Sequence, residues 1–391
     1  MRSWLTYAES NCGTSSTKVL SDCHAGGQTY CTAVQYLDAN WIYQQGSLPV
    51  AASASESWWL HQPGYSDSAH RLADSAYGGG NILNQTNPAV GQWFQNYART
   101  HYDSYDALMM DDTSGSLSNL TWGTGYSTSN EIGSDSALQA AHNQVAAQMT
   151  HSNGQPFLQI DNGLSPNNNL ATPFSMLNDS TGVKGMLTEG SPIANGTVVS
   201  FYSSLLDEMA YANQTANGFV VLLSYDPSGS LQARRVQAST VLLGYSPGHT
   251  VSWSDLETNS SNLAVWPEEG IVPTNPVQSM TAPTGSNCLA GQGVVCSNGG
   301  HNSIQVASGI YRREFAACYN QGVAIGPCAT IINTNSSPTT VQSSWLTQTY
   351  AHQITLNGGD VQSGGTINPT GASFTPNSTT IPANDAILIT K

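Results

Sequence analysis

The chain has 391 residues, of which 39% are hydrophobic and 9% charged, and its formal net charge is −15. Globular chains usually carry roughly a quarter charged residues, so this deficit is severe. Lysine occurs only at Lys18, Lys184 and Lys391. Nucleic-acid binding and attachment to an anionic membrane are therefore disfavoured, because both need clustered Lys and Arg. Membrane insertion is disfavoured too, because no apolar run approaches the roughly 20 residues of a membrane helix.

The cysteines indicate an oxidising compartment. Two pairs, Cys288/Cys296 and Cys318/Cys328, have the short spacing of disulfides that close hairpins. The other three cysteines, which provide one further pair and one remaining thiol, are Cys12, Cys23 and Cys31. Together with the low charge, these pairs predict a secreted, extracellular, acidic protein, and buried reduced cysteines are the alternative. The oligomeric state is not predicted.

Short apolar runs alternate with amphipathic stretches over about the first 260 residues. The runs predicted as strands are 18–22, 33–38, 107–112, 157–161, 183–189, 219–226 and 251–255. Helices are predicted after the caps Asn87-Pro88 and Ser134 or Asp135, and over 198–213 and 231–243. This α/β alternation predicts a (β/α)8 TIM barrel in residues 1–300. A doubly wound open sheet is the alternative, but no GxGxxG motif or P-loop follows a strand.

The pattern changes near residue 300. Strands are predicted at 304–308, 310–317, 322–332 and 386–390, separated by Pro, Gly, Thr and Asn. These strands predict a small antiparallel β-sandwich domain at residues 301–391. Two long segments, 45–90 and 270–302, lack a clear pattern, which is typical of a functional rim or of undetected elements.

Acidic residues lie at the ends of the predicted strands. They are Asp22, Asp38, Asp111 with Asp112, Asp161, Glu189, Asp226 and Asp255. Asp is common at helix N-caps and turns, which accounts for about half of them. It accounts poorly for Glu189, which precedes Gly190-Ser-Pro, where a turn is expected. In a barrel these acids would meet at one mouth, and a pair of carboxylates in opposite protonation states is the machinery of glycosidic cleavage.

Aromatic and uncharged polar residues accompany the same strand ends. Sugar rings stack their apolar faces on aromatic rings, and their hydroxyls bind amides. The candidate sugar-binding residues are Asp38, Asn40, Trp41, Trp58, Trp59, His61, Asn162 and Trp253. A single Trp more often belongs to a core. Trp58 and Trp59 are the best candidates for exposure, since neighbours in a strand point to opposite sides. The predicted partner is a carbohydrate.

Several motifs resemble glycoside-hydrolase-like TIM barrels with a C-terminal β-sandwich domain. Tyr105-Asp-Ala-Leu-Met-Met-Asp-Asp-Thr resembles their "YDG-hydrophobic-hydrophobic-D-D" strand, with Ala107 in place of Gly. Gly154-Gln-Pro-Phe-Leu-Gln-Ile-Asp-Asn-Gly and Gly185-Met-Leu-Thr-Glu-Gly-Ser resemble the next two strands. Tyr311-Arg-Arg-Glu-Phe, with Val323-Ala-Ile-Gly and Ile331-Ile-Asn, resembles their C-terminal "YxREF…G…VN" pattern. The resemblance covers about residues 15–335.

The resemblance implies a retaining glycosidase mechanism. By analogy with comparable barrels, Asp111 would be the nucleophile and Glu189 the acid/base. Asp112 and Asp161 would bind the sugar or tune these pKa values. The pleat direction leaves open whether Asp111 or Asp112 is catalytic. A catalytically inactive carbohydrate-binding or cell-surface barrel is the alternative function, since binding needs only the aromatic residues.

Other chemistries have weaker support. Gly244-Tyr-Ser246-Pro247-Gly248 matches the GxSxG motif of serine hydrolases. The residue after the nucleophile normally donates its N–H to the oxyanion, and Pro247 has none. No zinc spacing, HExxH or EF-hand pattern occurs, so the sequence predicts no dedicated metal site and no cofactor. A cluster of acids could still hold Ca²⁺.

Overall fold

The computed structural model describes residues 34–38, 41–42, 54–74, 80–105, 107–111, 126, 128–162, 183–213, 218–225, 230–246, 249–255, 266–280, 300–359 and 364–391. They divide into two compact units. The described residues up to 187 form the first unit, and those from 188 onward form the second. The predicted strand at 18–22 lies outside the described residues.

A parallel sheet forms the centre of the first unit. Strands β1 (Val34–Asp38), β5 (Ala107–Asp111), β6 (Leu158–Asn162) and the first half of β7 (Val183–Ala194) pair side by side in that order. Each of these strands was predicted from its apolar run. Because all pairs are parallel, their carboxyl ends lie at one edge of the sheet.

Two helices cover one face of this sheet. Helix α1 (Pro88–Tyr102) begins at Asn87, whose side chain accepts a hydrogen bond from the Ala89 N–H. Helix α2 (Asp135–Gln148) begins at Ser134, which accepts from Ala137 in the same way. Both caps were predicted, because a short polar side chain satisfies an N–H group that has no partner within the helix. The helices and the sheet share a core of Val90, Phe94, Ala98, Leu108, Met110, Val145, Met149 and Phe157.

The segment between β1 and α1 has structure that the sequence pattern did not reveal. Strands β2 (Trp41–Ile42), β3 (Ala73–Asp74) and β4 (Gly80–Ile82) form a small antiparallel sheet in the order β2-β4-β3. A 3-10 turn spans Glu56–Trp58. A separate apolar cluster anchors the segment to α2 and consists of Leu60, Leu72, Ile82, Ile132 and Leu138. Such short strands carry too few residues for a detectable period.

The second unit continues the alternation of strands and helices. Helices α3 (Tyr202–Ala212) and α4 (Leu231–Leu243) alternate with strands β9 (Phe219–Tyr225) and β10 (Thr250–Asp255), which pair in parallel. The end of β7 forms a hairpin with β8 (Thr197–Val198). The GxSxG match begins at the residue that caps the C-terminus of α4. It therefore follows a helix, whereas a nucleophile elbow requires a strand.

An antiparallel sheet forms the rest of the second unit. Its strands are β11 (Ile271–Pro276), β12 (Gln305–Ala307), β13 (Ile310–Asn320), β14 (Val323–Asn333), β16 (His352–Asn357), β17 (Thr366–Ser373) and β19 (Asp385–Thr390). Their order is β11-β13-β14-β19-β16-β17, with β12 paired to β13. Strands β15 (Thr339–Thr340) and β18 (Thr380–Ile381) pair separately. The sheet includes β11, so it begins earlier in the chain than the first strand predicted near residue 304.

Both faces of the antiparallel sheet are covered. Leu388 packs in one cluster with Ala238 and Leu242 of α4. Its neighbours Ile387 and Ile389 pack on the opposite face. That second cluster also contains Val341, Tyr350, Phe374 and Ile381. Successive side chains of a strand point to opposite faces, so β19 is apolar at consecutive positions because it has a core on each side.

The Tyr311-Arg-Arg-Glu-Phe motif has a structural role in this unit. Arg313 donates to the carbonyls of Leu243 and Tyr245, at 2.7 and 2.9 Å, and so satisfies the end of α4. Glu314 is fully buried. It accepts hydrogen bonds from the backbone N–H groups of Thr347 and Gln348 and from the Tyr350 hydroxyl. The motif therefore joins the sheet to a helix on one side and to a loop on the other.

The predicted disulfide between Cys318 and Cys328 is confirmed and links β13 to β14. The other predicted pair, Cys288 and Cys296, lies outside the described residues. The bond closes a loop with a sequence separation of 10 residues.

Replacing Cys318 and Cys328 together with serine should destabilise the second unit by about 3 kcal/mol, because a loop of this length loses that much unfolded-chain entropy when cross-linked. Urea unfolding of wild type and double variant, each with and without reductant, measures this. Reductant should lower the wild-type midpoint to that of the variant. A variant as stable as the oxidised wild type would contradict the expectation.

Candidate active site

Polar residues align at the carboxyl edge of the first unit's sheet. Asp38 at the end of β1 lies opposite Asp111 at the end of β5. Met110 lies opposite Asp161 of β6, so Asp111 is level with Asn162. The predicted convergence of strand-end polar residues is thus present in the backbone register of three adjacent strands.

Asp161 belongs to the helix-covered face of the sheet. Its carboxylate Oδ2 lies 2.9 Å from Nε2 of His142 on α2, and both side chains are buried. Two residues earlier, Gln159 donates to the Ala146 carbonyl of α2 at 2.7 Å. Because faces alternate along a strand, Asn162 falls on the opposite face. The predicted sugar-binding residue Asp161 therefore joins α2 to β6, and contact with a sugar would require this pair to open.

Glu189 lies within β7 rather than at its end. A turn was expected immediately after it, but the strand continues to Ala194. Gly190 has a positive φ of 62°, and the chain reverses at Asn195 and Gly196, which have φ of 49° and 72°. Asn-Gly suits the hairpin turn that needs two positive φ angles, so the reversal occurs there. Glu189 therefore precedes a glycine of positive φ, and the strand continues past both residues.

A buried acid supports the residue before Glu189. The Thr188 hydroxyl donates to Oε1 of Glu208 on α3 at 3.2 Å. Glu208 has no exposed surface, and within the described part of the chain its Oε2 has no hydrogen-bond partner. Burial raises the pKa of Glu208 to about 8, against a smaller opposing effect of Thr188. Glu208 is therefore a neutral acid below that pH.

The other predicted site residues lie in different parts of the first and second units. Asn40 and Asp112 lie outside the described residues. The structure gives backbone positions for Asp38, Trp41, Asp111, Glu189 and Trp253. Trp58 ends a 3-10 turn and is partly buried. Trp59 is 7% exposed and belongs to the core of the first unit. The two residues are not neighbours in a strand, so their side chains need not point to opposite sides, and the predicted exposure does not follow.

His61 is held between two glutamates. Its Nδ1 lies 2.7 Å from Oε1 of Glu131, and its Nε2 lies 3.0 Å from Oε1 of Glu56. Arg71 donates to both oxygens of Glu56, and the Arg71 guanidinium lies over the Trp59 ring. His61 is 2% exposed. Because both of its ring nitrogens contact glutamates, it links Glu56 to Glu131 in the interior of the segment.

The charges of this group stabilise one another. The hydrogen bond from Arg71 lowers the pKa of Glu56 to about 2, against the effect of burial. Burial opposes a charge on His61, but its hydrogen bonds to Glu56 and Glu131 outweigh burial and hold its pKa above the ordinary value. An imidazolium between two carboxylates is therefore favoured at mildly acidic pH.

Sequence reasoning missed three residues of this region. Glu131 and His142 anchor neighbouring loops and helices through histidine–carboxylate pairs. Gln62, next to His61, accepts a hydrogen bond from Tyr126. Their partners lie 19 to 70 residues away in the sequence, so no local pattern signals them. Within the described residues, no group of three or more His, Cys, Asp or Glu could hold a metal ion, and no described helix is long and apolar enough to cross a membrane.

No family model and no curated protein matches this sequence. Solved structures similar to it include a debranching enzyme from Nostoc punctiforme soaked with acarbose, with 9% identity, a TM-score of 0.40, and coverage of 96% of this chain and 79% of that one. An alpha-amylase from Malbranchea cinnamomea has 14% identity, a TM-score of 0.38, and coverage of 95% and 76%. A GH30 endoxylanase from Clostridium papyrosolvens has 12% identity, a TM-score of 0.35, and coverage of 99% and 94%. TM-scores this low do not assign an activity to the chain, so its function is inferred from its own residues.

Proposed function

We propose that the chain is a glycoside hydrolase that cleaves a polysaccharide or oligosaccharide with retention of configuration, with Asp111 as nucleophile and Glu189 as acid/base. The observation that carries this proposal is the register that brings Asp38, Asp111 and Asn162 level at one edge of a parallel sheet. Parallel α/β folds bind their ligands at this edge.

The division of roles rests on the chemistry of the two positions. A nucleophile must be ionised, and Asn162, which is level with Asp111 in the register, carries an amide, a group that stabilises an ionised carboxylate by donating a hydrogen bond. An acid catalyst must hold a proton, and a neighbouring ionised nucleophile favours the protonated form of such an acid, which is the part proposed for Glu189. Asp161 is engaged with α2 and is not assigned a part in cleavage.

The proposal also includes closure of the sheet into a barrel and secretion of the protein. Repeated strand–helix units with parallel pairing support a (β/α)8 barrel, in which the strand ends would surround one mouth. The Cys318–Cys328 disulfide supports secretion, since such bonds persist in oxidising compartments. Glycosidic cleavage requires a pair of carboxylates at one site.

The test is cleavage of a polysaccharide panel by wild type and Asp111→Asn. We expect wild type to release sugars from at least one polysaccharide, with products of unchanged anomeric configuration by early-time NMR, and Asp111→Asn to release almost none. The matched control is Asp103→Asn, which neutralises an exposed acid of the same unit.

Each outcome bears on the proposal. Equal cleavage by Asp111→Asn would remove Asp111 from the mechanism. Inverted products would exclude a covalent intermediate and a nucleophilic role. Retardation by a polysaccharide without any cleavage would instead favour the catalytically inactive carbohydrate-binding protein.

A further inference from the structure

Two exposed tyrosines flank one glutamine in the first unit. Tyr65 is 46% exposed and Tyr126 is 39% exposed. The Tyr126 hydroxyl donates to Oε1 of Gln62 at 3.0 Å, and the Tyr65 backbone N–H donates to the Gln62 carbonyl at 3.0 Å. We call Gln62, Tyr65 and Tyr126 the Gln62 patch. A surface that joins aromatic rings to a side-chain amide presents both apolar and hydrogen-bonding groups.

The patch is fixed in place by its surroundings. The Tyr65 ring stacks on His70 with ring centroids 3.7 Å apart and an interplanar angle of 14°. His70 Nδ1 lies 2.8 Å from Oδ1 of Asp67, and the Gln62 N–H donates to the His70 carbonyl. The backbone N–H of His61, the residue before Gln62, donates to Glu131. Little side-chain entropy would be lost when a ligand bound to these residues.

The patch lies on loops that leave the candidate catalytic edge. Gln62 and Tyr65 belong to the segment between β1 and α1, and Tyr126 belongs to the segment between β5 and α2. These segments begin just after the carboxyl ends of β1 and β5, where Asp38 and Asp111 are level. In parallel α/β folds, such loops form the walls of the ligand site.

We propose that the Gln62 patch is a subsite for a neutral pyranose unit of the polysaccharide chain, resting on the function proposed above for the identity of that chain. The Tyr65 ring would stack on the apolar face of the sugar, and the Gln62 amide would donate to a hydroxyl. An anionic sugar is disfavoured, because the basic residue nearest the Tyr65 ring, His70, is already paired with Asp67.

The test measures binding independently of cleavage. Native gels containing soluble starch, xylan, barley β-glucan or galactomannan retard a protein in proportion to its affinity. The parent is Asp111→Asn, so that the gel polysaccharide is not degraded. We expect at least one gel to retard this parent, and Tyr65→Ala in the same background to weaken the apparent affinity about 5- to 10-fold, the value of one lost aromatic contact. Tyr65→Phe should keep most of the affinity, since it keeps the ring.

The matched control is Tyr319→Ala, which removes an exposed tyrosine of the other unit. The subsite is overturned if no gel retards the parent, if Tyr65→Ala migrates like the parent, or if Tyr319→Ala loses as much affinity. Circular dichroism melts show whether each variant is folded. Failure of the catalytic proposal is distinguishable, because it would appear as cleavage by Asp111→Asn while the effect of Tyr65→Ala on retardation persisted.

Discussion

Glu189→Gln should lower turnover of an unactivated polysaccharide about 10²- to 10⁴-fold, while the protein stays folded and still binds the substrate. Glutamine keeps the size and polarity of the side chain but has no proton to give to the leaving oxygen. Protonation matters most when the leaving group is a sugar hydroxyl of high pKa. An aryl glycoside with an acidic phenol should therefore be cleaved by the variant at a rate much closer to wild type.

The comparison with Asp111→Asn separates the two roles. A missing nucleophile cannot be replaced by a better leaving group, so Asp111→Asn should be defective on both substrates. Kinetics on the polysaccharide and the aryl glycoside, with Asp103→Asn as the control, distinguish the two roles. Near-wild-type turnover of a natural polysaccharide by Glu189→Gln would remove Glu189 from the mechanism.

Thermal stability should fall as the pH rises from about 5 to 8.5, and Glu208→Gln should remove part of this fall, because burial also raises the pKa of Glu269 to about 8. The pKa of Glu208 is about 8 in the folded protein and near 4.5 when the group is in water. Between these values the unfolded chain releases a proton that the folded chain retains, so alkaline pH favours unfolding. At about 1.4 kcal/mol for each pH unit, the loss approaches about 4 kcal/mol.

His61 contributes in the same direction and Glu56 in the opposite one. The raised pKa of His61 gives stability that is present at acidic pH and lost as the pH rises through that pKa. The pKa of Glu56, lowered to about 2, gives stability that is lost only in strong acid. Maximum stability is therefore expected at mildly acidic pH.

Differential scanning calorimetry of wild type, Glu208→Gln and Asp67→Asn over this pH range provides the measurement. Glutamine can still accept the Thr188 hydrogen bond, so the variant should match wild type near pH 5 and exceed it at pH 8.5. Parallel pH profiles for wild type and Glu208→Gln would show that Glu208 ionises in the folded state without cost.

The sequence predicted elements whose signals are local. The caps at Asn87 and Ser134 and the apolar runs of β5, β6 and β9 depend on neighbouring residues, and all were found where expected. The hairpin disulfide at Cys318 was predictable for the same reason. Propensity and periodicity act over a few residues, so they define an element but not its partner.

What the sequence could not predict depends on distant contacts. The acid of β6 resembles the other strand-end acids, yet Asp161 faces α2 and pairs there with His142. Nothing within five residues of His61 shows that Glu131 completes its surroundings. The Tyr311-Arg-Arg-Glu-Phe motif was recognised by resemblance, but the helix and loop that it joins became visible only in the tertiary structure.

The place of β19 in the antiparallel sheet bears on how the protein is synthesised. This strand lies between β14 and β16, although every other strand of the sheet precedes it in the chain. Until Asp385–Thr390 has left the ribosome, β14 presents an unpaired edge and the β16–β17 hairpin has no sheet to join. Exposed edges of this kind are sites of aggregation and of chaperone binding. A chain interrupted before Asp385 would therefore leave two separate partial sheets, each with an open edge.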